Sequence, residues 1–177
     1  MSYQFSPNTE KKFEWLKTRY PQRDAVLIPL LHFVQAELGY LSVDSIDYVA
    51  KRMELSPARV KEVASFYSLF RFKKGGRFTL QVCHNLSCYM RGSDEILSWL
   101  TENLKFDENG VSDDGFFSLE RVECLASCST GPVLQVNDWD YFEELNIEKV
   151  EKILSALREG KWTCPRFEDR VKEGSFA

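Results

Sequence analysis

Long apolar runs are missing from this chain. Its longest strongly apolar stretch covers residues 25–34 and is interrupted by Pro29 and His32. That falls well short of the roughly 20 residues a membrane-spanning helix needs. Residues 1–7 show no basic region followed by an apolar core, so no secretory signal is read there. Glu10 and Glu14 arrive too early for an Arg-rich, acid-poor transit peptide. Positive charge is not in excess: the net charge is −4, which speaks against a non-specific nucleic-acid binder. There is no Gly-x-Gly-x-x-Gly fingerprint and no P-loop, so nothing here is built to hold a nicotinamide or flavin alone. The lack of any Cys-x-x-Cys pair argues against a thiol oxidoreductase. Internal repeats and low-complexity tracts are absent too. The expectation is a cytoplasmic protein that neither enters the membrane nor binds nucleic acid.

What is present is an ordinary globular composition, 44% hydrophobic and 28% charged over 177 residues. That length suits one large domain or two small ones. The first 70 or so residues read as helical. Residues 9–19 carry Phe13, Trp15 and Leu16, and Pro21 interrupts them. Residues 25–38 place Val26, Leu27, Leu30, Leu31, Val34 and Leu38 at helical spacing, with Gly39 as the C-cap. Ser42 reads as the N-cap of a helix over 43–53. Ser56-Pro57 is an N-cap with proline at the first helical position, opening 57–66. Short connections predict a small bundle.

Lys73-Lys74-Gly75-Gly76 is a break, and the periodicity changes after it. Residues 78–82 read as a strand ending at Cys83, 92–104 as a helix, and 116–122 as a strand ending just before Cys124. Short strands follow at 133–136 and 141–142, then a helix over 147–157. This order predicts a small α/β sandwich. The expected domains are 1–74 (helical bundle) and 75–160 (α/β), with a tail at 161–177. The run Phe66-Tyr67-Ser68-Leu69-Phe70 reads as packing between the two parts rather than as a cofactor box.

Five cysteines are an odd count, and in a cytosolic protein regular spacing points to metal or redox work before disulfides. Four residues separate Cys83 from Cys88, and three separate Cys124 from Cys128. Each pair follows a predicted strand, so both lie in loops at strand ends. Four converging thiolates suit a two-iron cluster, two per iron. A structural zinc on the same four residues stays open, because zinc sites use similar spacings. Such a cluster is an anion and wants backbone N–H donors and positive charge. Arg91 and the helix start at Gly92 stand just after Cys88 and are candidates for that role. Ser129 and Gly131, with the small residues Ser127 and Thr130, let the second loop come close to the sulfides. Cys164 reads as a free thiol in the tail. His84 beside Cys83 invites a Rieske reading, but that needs two histidines on one iron, and the other one, His32, sits in a predicted apolar helix.

Particular residues carry a family resemblance. Cys83-His84-Asn85-Leu86-Ser87-Cys88 with Arg91-Gly92, Val122-Glu123-Cys124-Leu125-Ala126-Ser127-Cys128, Pro132-Val133 and Gln135-Val136-Asn137 resemble the small, 24-kDa type [2Fe–2S] subunit of NADH–quinone oxidoreductase, respiratory complex I. Leu30-Leu31-His32-Phe33-Val34-Gln35, Gly39-Tyr40-Leu41 and Val60-Lys61-Glu62-Val63-Ala64-Ser65-Phe66-Tyr67 extend it over roughly residues 10–158. The resemblance implies a helical bundle before a thioredoxin-like domain, with the cluster on Cys83, Cys88, Cys124 and Cys128. It implies binding to a larger flavin-carrying subunit that holds FMN, the NADH site and a [4Fe–4S] cluster. It also implies further peripheral-arm subunits, a place on the cytoplasmic side of the inner membrane, and no catalysis by the isolated chain. The same architecture serves NAD-reducing hydrogenases and NAD-dependent formate dehydrogenases. Ser129 and Ala126 stand where the family has glycine, and Gly131 where it has alanine. Those departures leave the ligands intact and bear on the cluster's potential.

Overall fold

The computed structural model describes residues 3–161. Cys164 and most of the tail lie outside the described residues. The chain divides into two compact units, with the boundary between Lys74 and Gly75.

The first unit is helical. Helices α1 (Pro7–Arg19), α2 (Leu27–Leu38), α3 (Val43–Met53) and α4 (Pro57–Phe66) carry it. Serine hydroxyls start three of them. Ser6 accepts from the Thr9 amide, Ser42 from Ser45 and Ser56 from Arg59, each satisfying a backbone donor the helix leaves free. Pro7 and Pro57 occupy first-turn positions, where no amide is missed. Gly39, at φ +85°, ends α2, a left-handed conformation that costs glycine least. The stretch expected as one helix from residue 25 begins instead as a 3-10 turn, Arg23–Val26, and becomes α-helical at Leu27. Phe13, Leu16, Leu30, Leu31, Val34, Val49, Met53 and Val60 fill the core. Of the aromatic run that closes α4 and follows it, Phe70 is buried in this core, whereas Phe66 is 81% exposed.

The second unit is a four-stranded mixed sheet with helices. Strands β1 (Phe78–Cys83), β2 (Phe117–Val122), β3 (Leu134–Val136) and β4 (Asp140–Phe142) lie in the order β2-β1-β3-β4. β1 runs parallel to β2 and antiparallel to β3, and β4 pairs antiparallel with β3. The parallel pair requires a crossover, which α6 (Ser93–Leu104) supplies. Alternation sorts the faces. Phe78, Leu80 and Val82 join Phe117, Leu134 and Val136 in one core with Ile96, Leu97 and Leu100 of α6, and with Val150, Leu154 and Leu157 of α7 (Ile147–Arg158). The intervening Gln81 is buried but partnered, since its amide nitrogen donates to Glu120 and Asp138. The helices and strands expected from the sequence are present, as an α+β fold.

Candidate metal centre

Sheet register brings the cysteine loops together. Parallel strands end at the same edge, and Cys83 pairs with Val122, so Cys124 leaves the sheet beside Cys83. β3 enters antiparallel with Leu134 opposite Val82. The chain from Cys128 to Val133 must therefore return to that same edge. Cys83 is fastened there, its amide donating to the Val133 carbonyl at 3.1 Å.

A short helix follows that the sequence pattern did not reveal, α5 (Leu86–Tyr89), capped by the Asn85 side chain. It turns Cys88 inward, so that Cys83 and Cys88 are both only 2% exposed, and packs them with Val133. Cys124 and Cys128 are exposed, with their sulfurs 3.2 Å apart. The thiols thus stand as two pairs, one inner and one outer. Among the described residues, no three His, Cys, Asp or Glu side chains form a set that would hold a single ion.

Donors surround the sulfurs. The Ala126 amide donates to Cys124 Sγ at 3.3 Å, the Val133 amide to Cys88 and the Ser87 hydroxyl to Cys128. Burial, then its neighbour Cys83, pushes the Cys88 thiol up to about 11. In the outer pair Cys124 is held below the ordinary thiol value by its hydrogen bonds from Cys128 and the Ala126 amide, and Cys128 is raised in turn by Cys124.

The flanking residues have separate jobs. Arg91 Nη1 donates to the Ser129 carbonyl at 2.5 Å, tying the first loop to the second. Gly131 allows close approach, because a Cβ there would lie 3.0 Å from Cys88 Sγ. The Gly92 amide departs from expectation. It donates to the Tyr89 carbonyl at 3.0 Å rather than toward the sulfurs, because α5 intervenes before α6.

Two contacts and one backbone conformation escaped the sequence pattern. Asn85 Nδ2 donates to Glu123 Oε2 at 2.9 Å, a second tie between the loops. Glu143, just past β4, accepts from the hydroxyls of Ser127 and Thr130 and so clasps the outer loop. Ala126 stands at φ +63°, a left-handed position that side chains rarely adopt. Only the small, polar character of the loop hinted at these contacts.

Paired thiols, N–H and O–H donors aimed at sulfur, and a glycine against Cys88 all fit a two-iron cluster. Fold and thiol set together define the class, an iron–sulfur electron carrier of thioredoxin-like fold. The chain belongs to the thioredoxin-like [2Fe-2S] ferredoxin family, whose pattern matches residues 13–158. NADH-quinone oxidoreductase subunit 2 of Thermus thermophilus is 43% identical to it over 145 residues, 81% of this chain and 80% of that protein. A Rickettsia bellii protein, also a subunit of NADH-quinone oxidoreductase, is 42% identical over 144 residues, 79% of this chain and 85% of that one. Among solved structures, an NAD+-reducing [NiFe]-hydrogenase in the air-oxidised state shares the fold with a TM-score of 0.65 at 15% identity. The likeness covers 85% of this chain and 25% of the hydrogenase chain. Among the described residues no helix is long and apolar enough to cross a membrane.

Proposed function

We propose that this chain holds one [2Fe–2S] cluster on Cys83, Cys88, Cys124 and Cys128 and is the single-electron carrier of an NADH dehydrogenase module. The observation that carries the reading is the arrangement of thiols at one sheet edge as two pairs, two ligands for each iron. A single zinc would instead want four thiolates around one point.

When bound, such a cluster takes up and gives back one electron at a time. The chain's own residues hold and insulate it. Cys83 and Cys88 are buried and keep water from the inner side. The Ala126 and Val133 amides and the Ser87 hydroxyl counter thiolate charge. Arg91 adds a fixed positive charge and holds the outer loop through Ser129. The exposed outer pair sets the side from which a redox partner comes within reach.

Hydride transfer from NADH needs a flavin, since hydride carries two electrons. The chain lacks a dinucleotide fingerprint, so the FMN and NADH sites belong to a larger flavin-carrying partner, which also holds a [4Fe–4S] cluster. Names among the relatives favour the setting of NADH-quinone oxidoreductase. There the chain sits in the peripheral arm on the cytoplasmic side and translocation is the work of other subunits. Residues 1–74 form its helical domain and 75–160 its cluster domain.

Iron, acid-labile sulfide and zinc per chain, measured on protein purified without air, test the reading. Equal iron and sulfide, a pair of each, is expected. Zinc without sulfide would replace the carrier with a structural metal module. Co-purification of the native assembly identifies the partner, and finding hydrogenase or formate dehydrogenase subunits there would overturn the quinone oxidoreductase setting.

A further inference from the structure

The outer thiols differ from the inner pair in more than position. Cys124 and Cys128 are exposed and their sulfurs are 3.2 Å apart. A disulfide requires about 2.0 Å, so closure asks for little more than an ångström of side-chain movement. Residues 123–127 belong to no helix or strand, and Cys128 opens only the short 3-10 turn Cys128–Thr130, so that movement breaks no sheet ladder. Cys83, by contrast, ends β1 with its amide bonded to Val133, and both inner cysteines are shielded from solvent.

We infer that Cys124 and Cys128 form a reversible disulfide site in the cluster-free chain, with small disulfides of the glutathione class as oxidant. The consequence rests on the reading of these thiols as cluster ligands: an oxidised outer pair removes half of the ligand set, so reduction gates loading. In the first step one outer thiolate attacks the small disulfide, forming a mixed disulfide and expelling one thiolate. In the second, its neighbour attacks the protein sulfur of that mixed disulfide, forming the Cys124–Cys128 bond and expelling the other half. Two protein thiols are oxidised, one small disulfide is reduced to two small thiols, and the two protons pass to the leaving thiolates. Burial withholds Cys83 and Cys88 from the same attack.

The test uses the full chain, stripped of metal without air by a chelator under reductant, desalted and treated with oxidised glutathione. Free thiols are alkylated before digestion with trypsin. Cleavage after Arg77, Arg91, Arg121 and Lys149 leaves each pair in its own peptide, 78–91 and 122–149. The expected result is peptide 122–149 unlabelled and internally bridged, while in 78–91 both cysteines carry the alkyl label. Dithiothreitol should restore labelling of 122–149, and iron and sulfide uptake with it. In Cys128→Ser the reaction should stop at a glutathione adduct on Cys124. Free thiols at both outer positions after treatment would overturn the inference, as would a bridge from either of them to Cys83, Cys88 or Cys164. Equal oxidation of the inner pair would overturn it as well. The labelling outcomes do not depend on the metal content of the native protein, which tests the cluster reading separately; only the return of iron and sulfide uptake rests on that reading.

Discussion

At the residue scale the site depends on how closely backbone and side chains approach the sulfurs. A Cβ on Gly131 would stand 3.0 Å from Cys88 Sγ and 3.5 Å from Cys88 Cα. One carbon can be admitted by a shift of a few tenths of an ångström, whereas a branched side chain cannot. Gly131→Ala is therefore expected to retain iron with an altered midpoint potential, and Gly131→Val to lose it. Iron per chain and a redox titration decide. Glu143 offers a second case. Its carboxylate holds Ser127 and Thr130, on either side of Cys128. Glu143→Gln keeps an acceptor oxygen and removes a charge, so the cluster should stay bound at a higher potential. Glu143→Ala removes the acceptor and should release iron faster to a chelator. Equal chelation rates for wild type and Glu143→Ala would show that the clasp does not hold the loop. Of these contacts the sequence displays only the ingredients. Small residues near Cys128 were legible, but a carboxylate 15 residues past Cys128 was not, because only the β3–β4 hairpin returns it to the loop.

At the scale of elements, caps and turns were the most legible features. Ser42, Ser56 and Gly39 stand where their residue types predict helix ends, since caps are chemistry local to a few residues. Ser56→Ala should cost about 1 kcal/mol, read as a lower denaturant midpoint with an unchanged slope. The turn before β2 carries a pH-dependent contribution. Asp114 accepts from Ser112 Oγ and the Phe116 amide and pairs with Arg158, which together hold its carboxyl down at about 2. A depressed carboxyl contributes stability above its unfolded value of about 4 and loses it as pH falls toward the folded value. Asp114→Asn should thus be less stable than wild type at neutral pH, with the gap narrowing from about pH 4 down to about pH 2. Urea midpoints across that range test the sign. The Phe116 amide bond to Asp114 also explains why β2 begins at Phe117, one residue later than alternation suggests. The single turn of α5 was missed because four residues are too few to show a period.

At the scale of the molecule, the absence of a dinucleotide fingerprint and the one-electron nature of the proposed cluster make a joint prediction. The purified single chain should not oxidise NADH, even with an artificial electron acceptor. Activity should return when the chain is combined with the flavin-bearing partner proposed above. Turnover by the chain alone, with no flavin bound, would remove the carrier reading.

The sequence by itself determined the longer helices and the strands, the change from helical to α/β periodicity near Gly75, and the four thiols with their strand-end positions. Those follow from side-chain spacing and from conformational preferences that act over a few residues. Tertiary structure alone decided that β1 lies between β2 and β3, and hence that both cysteine loops leave one edge. It also decided which thiols are buried and which exposed, and that the Gly92 amide is spent on Tyr89. Strand order and burial arise from contacts between residues far apart in the chain, where two pairings can satisfy the same local pattern and only the packing of the whole core chooses between them.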